Sequence, residues 1–308
     1  MISKKVYFER ALFFSWYCKY GDCKFCYMST LKKKPNAKRG FASIFAETII
    51  SMKLGWKIEF ISGGYGAYSK EKLLFLVKTI KEITKEKQWL NIGTLNKKEL
   101  EMFKPFIEGY AGTVETVNWE LRKYICPSKK LKPIIQTFKY CDELKLKKAM
   151  TLIIGLGEKI EDFKNLKRFI EENDISRITF YALNPHPGTI YKISPTKEYY
   201  SDWISLTRKQ FPKIEIIAGA WTDKINYYSK LLKAGANSIT KIPAIRKFGS
   251  KELKEIELEV KKAGKVFSGT LTKMPKVNWN EEVDQLNLDE ELKQEIKEKI
   301  QNYIKKMS

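Results

Sequence analysis

The chain is poor in the residues that build ordinary metal cages. It holds one histidine, His186, among 308 residues, and five cysteines. An odd number of cysteines, three of them clustered, fits metal binding in a reducing compartment better than a disulfide framework. Long uncharged apolar runs are absent too, which excludes a membrane-spanning helix. The opening segment MISKKVYFER lacks the hydrophobic run of a signal peptide, so a cytosolic protein is expected. Acidic residues are outnumbered, 36 against 58 basic, for a formal charge of +22. Most of that charge is lysine dispersed along helical segments, which normally forms a solvated surface, and a Lys- and Ile-rich chain with little Gln resembles heat-adapted proteins. A denser group comprises Lys32, Lys33, Lys34, Lys38 and Arg39. The charge would attract anionic substrates, acidic electron carriers or RNA at low salt, but no recognised RNA-binding module is visible.

What is present in concentrated form is a cysteine triplet. Cys18, Cys23 and Cys26 fall within nine residues, in WYCKYGDCKFCYMST. A structural zinc takes four protein ligands, and an electron-transfer 4Fe-4S cluster takes four thiolates. A cubane held by three leaves one iron open to a small molecule. Two blander readings stand beside this one: a zinc knuckle that borrows Cys126 or Cys141, or cysteines that merely pack. Packing fits poorly, because the surrounding loop is rich in Lys, Tyr, Gly and Asp.

Short β-rich apolar runs alternate with charged segments of helical period along the whole chain. Strands are expected near residues 11–17, 57–62, 89–93, 109–115, 148–155, 177–183, 214–219 and 238–242. Amphipathic helices between them include FASIFAETIISMKLG, KEKLLFLVKTIKEITK, KPIIQTFKYCDELK, KIEDFKNLKRFIEEN and KINYYSKLLKAG. The pattern predicts an α/β fold, a (βα)8 TIM-type barrel over residues 1–276, with an acidic-then-basic helical tail over 277–308 as a cap or interaction helix. The alternative is a partial, six-stranded barrel with a C-terminal extension. In such barrels reactive groups sit at the C-terminal strand ends. The cysteine loop follows the first strand, and Gly63, Gly64 and Tyr65, then Asn91, Glu115, Gly155-Leu156-Gly157-Glu158, His186 and Trp221 follow later ones.

Three cysteines after the first strand, with Phe25 immediately before the third, resemble the radical S-adenosylmethionine (SAM) superfamily. The usual spacing has three residues between the first two cysteines, whereas this chain has four, so the loop must bulge. The stretch ISGGYG is similar to the family's glycine-rich second-strand motif, with Tyr65 replacing the acid often found there; glycine suits a close backbone approach. TVETVNWELRKYICPSKK with KAMTLIIGLGEKIED, and AGAWTDKINYYSKLLKAGANSITK, resemble later strands of the biotin synthase branch. The likeness covers roughly residues 10–245.

The resemblance implies that Cys18, Cys23 and Cys26 hold a 4Fe-4S cluster whose open iron chelates SAM, and that reductive cleavage yields a 5'-deoxyadenosyl radical that abstracts hydrogen. It places Phe25 against the adenine and Gly63 and Gly64 at the methionyl amine. Glu115 would contact that amine or the ribose, Ile154 and Gly155 would flank the adenine, and Lys132 would stand for the basic residue at the SAM carboxylate. Phe25 could instead be core, Glu115 a surface or helix-start acid, and Gly155 a simple turn. His186, Tyr181 and Trp221 read more readily as loop and packing residues, and Cys126 and Cys141 as structural or free thiols.

Within the branch, sulfur insertion needs a second cluster. Ala149 and Trp221 stand where a further cysteine and an arginine of that cluster would fall, so sulfur insertion is not expected. Enzymes that rearrange or fragment small molecules remain, among them the iron-iron hydrogenase maturase, the methylornithine-forming mutase and the methanogen enzymes resembling HmdB. The enlarged cysteine spacing points to the last group, implicated in building the pyridinol of the guanylylpyridinol cofactor of the iron-only hydrogenase. The expected partners are a small anionic substrate and a low-potential donor such as ferredoxin or flavodoxin. An RNA-modifying radical SAM enzyme and a non-enzymatic zinc module are the competing classes.

Overall fold

A computed structural model describes residues 4–30 and 37–307 of the chain. Lys32, Lys33 and Lys34 of the basic group lie outside the described residues. The N-terminal half runs β1 Lys5–Tyr7, β2 Glu9–Ser15, α1 Phe41–Lys53, β3 Lys57–Gly63, α2 Lys70–Thr84, β4 Gln88–Asn91, α3 Lys97–Phe103, β5 Ile107–Glu115, α4 Trp119–Ile125 and α5 Leu131–Glu143. It continues with β6 Lys147–Ile154, α6 Phe163–Asn173, β7 Arg177–Ala182, α7 Lys197–Gln210, β8 Glu215–Gly219, α8 Tyr228–Ala234 and β9 Ser238–Thr240. Last come α9 Lys251–Lys262, β10 Val266–Ser268, α10 Trp279–Asp284 and α11 Glu290–Met307.

The strands form because their apolar residues run almost unbroken, as parallel strands covered on both faces require. The helices form because apolar residues recur at helical spacing: α5 buries Ile134, Thr137, Phe138 and Cys141, and leaves Lys132 and Lys139 in solvent. Several starts are fixed by side-chain caps, Ser69 for α2 and an Asn96–Glu99 capping box for α3.

Strands β2 to β9 pair in sequence order, all parallel, in one eight-stranded sheet. A parallel bridge from Phe8 to Ile239 brings the two edges together, and the Thr240 hydroxyl donates to the Glu9 carbonyl across the same seam, at 2.7 Å. The eight-stranded barrel is therefore the architecture, and the six-stranded alternative is excluded. Phe60, Trp89, Ala111 and Ala149 pack together as a core of their own, with Ala11 and Tyr181 against them, while the larger core lies between strands and helices. Between Arg10 and Ala11 the pairing skips Glu59, a bulge that lets both Glu59 and Phe60 face inward.

Two features lie outside the expected alternation. β1 pairs with β10 in a separate two-stranded parallel sheet. The tail forms α10 and α11, and α11 lies along α1. Ile296, Ile300 and Met307 are buried there, and the Tyr303 hydroxyl meets the Ser43 hydroxyl at 2.8 Å. Among the described residues no helix is long and apolar enough to cross a membrane.

Candidate active site at the mouth of the barrel

The cysteine loop leaves β2 at the C-terminal end of the barrel and is tied down on both sides. Lys19 N–H donates to the Tyr65 carbonyl at 2.9 Å, and Lys24 N–H donates to the Ile125 carbonyl at 2.9 Å. Asp22 accepts the Ser128 N–H at 3.2 Å. Between the first two cysteines Gly21 takes a φ of +57°, a left-handed turn that accommodates the four-residue spacing. Gly64 sits directly beneath the loop. A Cβ there would lie 1.7 Å from the Tyr17 carbonyl oxygen and 2.8 Å from the Cys18 Cα. One at Gly63 would meet the Phe14 ring at 2.4 Å. The close approach these glycines permit is thus between the second-strand loop and the cysteine loop itself.

All three cysteines are half-buried free thiols. Phe25 is half-buried beside Cys23 and packs on Ile125, Cys126, Leu156 and Leu183, which joins the cysteine loop to the strand ends of β6 and β7. Cys126 donates to Cys23; that hydrogen bond, helped by the Lys129 charge, holds Cys23 below the usual thiol range, and it pushes Cys126 up. Burial pushes Cys26 up to about 11. Cys141 lies apart, in the core beneath α5.

At the end of β5 Glu115 is buried with a φ of +71°, rare for a residue with a side chain. It forms an ion pair with Lys129. Arg122 shapes that loop by donating to the Val114 and Lys129 carbonyls, both at 2.8 Å. Burial opposes the charge on Lys129, but Glu115, Cys23 and Tyr65 raise its pKa well above the ordinary value. Lys132 is not brought to the site: it lies exposed on the first turn of α5. The cation that faces the cysteines is Lys129, three residues earlier.

Ile154 is buried at the end of β6, and Gly155 follows with a φ of +104°. The Glu158 carboxylate accepts the N–H groups of Gly155 at 2.6 Å and Leu156 at 2.8 Å, which locks this turn into one shape. Across the mouth His186 lies 5.5 Å from the Tyr27 ring and 6.4 Å from that of Trp221, centroid to centroid. Burial and the Lys241 charge hold the imidazole pKa down. Tyr181 is not simple packing, since its hydroxyl donates to Glu59 deep in the barrel.

Lys241 follows β9 with a φ of +71°. Its ammonium lies 5.2 Å from the Tyr181 ring centroid and 5.6 Å from that of Trp221. Its side chain is exposed, and partial desolvation by the surrounding mouth lowers its pKa. Cation–π contacts at an exposed site of this kind return roughly 0.5–1 kcal/mol. The Trp221 indole N–H is buried with no acceptor among the described residues.

Lys129 and Lys241 were missed from sequence, although Lys241 directly follows an apolar strand and that placement was a usable signal. Lys129 is one of two adjacent lysines, and only the Arg122-pinned loop shows which turns inward. The cleft lined by Glu9, Gln88, Trp89, Arg177 and Glu215 opens at the strands' N-terminal ends, away from the cysteines.

The donor set suits an iron-sulfur cluster: three thiols on one loop, a buried ammonium nearby that favours thiolate, and glycines that seat the loop on its neighbour. Among the described residues no three cysteine, histidine or carboxylate side chains already converge as a metal cage, and Cys23 is turned towards Cys126. The fit therefore rests on donor chemistry and loop placement.

Residues 14–170 match the radical SAM superfamily. An uncharacterized protein of Methanocaldococcus jannaschii is 42% identical over 98% of this chain and 89% of its own length. The 7,8-didemethyl-8-hydroxy-5-deazariboflavin synthase of Methanococcoides burtonii is 29% identical over 48% of this chain and 47% of that protein. Among solved structures, methylornithine synthase (PylB) shares the fold with a TM-score of 0.73, at 20% identity, over 86% of this chain and 84% of that one. A match over half the chain, and three cysteines on the loop where the barrel opens, place this protein in the radical SAM superfamily, whose enzymes work with a 4Fe-4S cluster, SAM and a reductant.

Proposed function

We propose that this radical SAM enzyme acts on a small anionic molecule inside the barrel, in the assembly of a pyridinol ring such as that of the iron-only hydrogenase cofactor. The observation that carries the small-substrate reading is closure of the barrel, with edges joined at Phe8–Ile239 and mouth loops tied together through Lys19–Tyr65 and Lys24–Ile125. Such an interior admits a small molecule or, from a macromolecule, only a single extruded group. Arg39 of the basic group is also engaged, paired with Glu47 at 2.7 Å.

In this reading Cys18, Cys23 and Cys26 hold the cluster. Bound there with SAM, it supplies a 5'-deoxyadenosyl radical for hydrogen abstraction. Phe25, Ile154 and Gly155 would form the apolar wall for the adenine, Gly63 and Gly64 would set the loop at the methionyl end, and Glu115 would offer its carboxylate to the amine or ribose. Lys129 orients that carboxylate through their ion pair. Lys132 is set aside in favour of Lys129. No thiol replaces Ala149 inside the barrel, and Cys126 and Cys141 both lie elsewhere, which supports ring assembly or rearrangement over sulfur insertion. The deazariboflavin synthase relative, a protein named for making a heterocycle, is consistent with the pathway. A ferredoxin or flavodoxin would suit the basic surface as donor.

The test is anaerobic reconstitution with iron and sulfide analysis, followed by incubation with SAM, reductant and candidate pyridinol precursors. About four irons per chain are expected in the wild type and in Cys126→Ser, and loss of most of that iron in Cys23→Ser. Equal dependence on Cys126 would mean a four-thiol site. Failure of every precursor to raise 5'-deoxyadenosine release would sink the pathway assignment.

A further inference from the structure

We propose that Lys241 and the indole N–H of Trp221 together bind the carboxylate or phosphate group of the substrate, on the wall of the mouth formed by the ends of β8 and β9. The inference deepens the small-anion reading above and rests on it.

Several independent observations meet at this wall. Lys241 has no ion-pair partner among the described residues. Glu59, Cys26 and Glu115 contribute only their more distant fields. Its ammonium is held over two aromatic faces, Tyr181 and Trp221. Those faces orient a cation without neutralising it. Tyr181 is itself fixed by its hydrogen bond to Glu59, so one side of the platform is rigid. The Trp221 N–H is a second donor, itself buried, with no acceptor among the described residues. Among the described residues, Lys241 is also one of two at the mouth with side chains held at a left-handed φ; the other, Glu115, has its charge answered by Lys129. Strained backbone of this kind persists where the surroundings hold a side chain in a required direction. Two unanswered donors on neighbouring strand ends, one of them charged, form the complement of a single oxyanion.

Lys129 and Glu115 flank the cysteine loop from the β5 side, whereas Lys241, Trp221 and His186 flank it from the β7 to β9 side: His186 meets the ring of Tyr27, and Lys241 follows the strand that joins β2 at the barrel seam. An anion held at Lys241 would keep the rest of a small molecule close to the cysteine loop. Lys241 thus decides which molecules are retained and how they are presented.

The experiment uses reconstituted holoenzyme saturated with SAM and measures acetylation of individual lysines by a water-soluble acetylating reagent, read by peptide mass spectrometry. Sodium benzoate and inorganic phosphate are the probes, and exposed Lys132 is the internal control. At saturating probe, at least one anion is expected to slow acetylation of Lys241 about tenfold or more, with Lys132 unchanged. Protection by benzoate alone identifies a carboxylate site, and protection by phosphate alone a phosphate site. The affinity of the effective probe, by calorimetry, should fall about tenfold or more in Lys241→Met and recover to within about threefold in Lys241→Arg, with a smaller loss in Trp221→Phe. Equal labelling with and without both anions overturns the proposal. So does protection by SAM alone, which would assign Lys241 to the cofactor. Failure of the proposed pathway shows separately, as wild-type protein that binds the probe anion but turns over no pyridinol precursor.

Discussion

Glu59 is a carboxyl group placed where water cannot reach it. It is buried completely, accepts a hydrogen bond from Tyr181, lies within hydrogen-bond distance of the Thr240 hydroxyl, and sits at a bulge that turns it into the barrel. Burial raises its pKa from 4.5 to about 7. Between those values the folded protein keeps a proton that the unfolded chain releases, so stability falls as pH rises from about 4.5 to about 7, and the loss is complete above that range. The shift corresponds to a penalty of roughly 3 kcal/mol at most. Glu59→Gln is therefore expected to be more stable than the wild type at pH 8, by about 1–3 kcal/mol, with the difference vanishing near pH 4.5. Thermal denaturation across that range checks it. A difference independent of pH would show that Glu59 is ionised throughout.

At the scale of elements, the C-terminal helix is tied to the barrel by a polar contact set within an apolar seam. Tyr303 on α11 meets Ser43 of α1 and accepts from Arg39 at 3.2 Å, while the Arg39 guanidinium also reaches Glu47 and the Phe13 carbonyl. Glu47 is shared with Arg10. One cluster thus couples the tail, the first helix and the segment entering that helix. Tyr303→Phe keeps the ring and removes the hydroxyl, and should cost about 1 kcal/mol in urea denaturation. An unchanged midpoint would mean that burial of Ile296, Ile300 and Met307 alone holds the helix.

The whole molecule carries 58 basic against 36 acidic residues, and few lysines are buried, so most of the excess charge faces solvent. An acidic electron carrier would be drawn to such a surface over distances set by the ionic atmosphere, about 10 Å at 0.1 M salt. The second-order rate of reduction by a flavodoxin or ferredoxin is accordingly expected to fall about tenfold or more between roughly 0.02 and 0.2 M salt. A flat dependence would show that the excess charge lies away from the docking face.

Periodicity alone determined the eight barrel strands and the long helices between them, because apolar spacing is a local property that burial on both faces of a parallel sheet enforces. It did not reveal β1 and β10, three-residue strands whose pairing links residues about 260 positions apart. The cysteine triplet likewise identified the chemistry, since ligand type and count are written in the chain. Which charges face that chemistry was a tertiary decision. Lys129 rather than Lys132 turns inward because Arg122 holds the loop carbonyls. Cys126 meets Cys23 because the loop after α4 folds back over the mouth. Lys241 and Trp221 become neighbours only when β8 and β9 lie side by side. Sequence spacing encodes which groups a chain can offer, and closure of the barrel decides which of them are left without a partner.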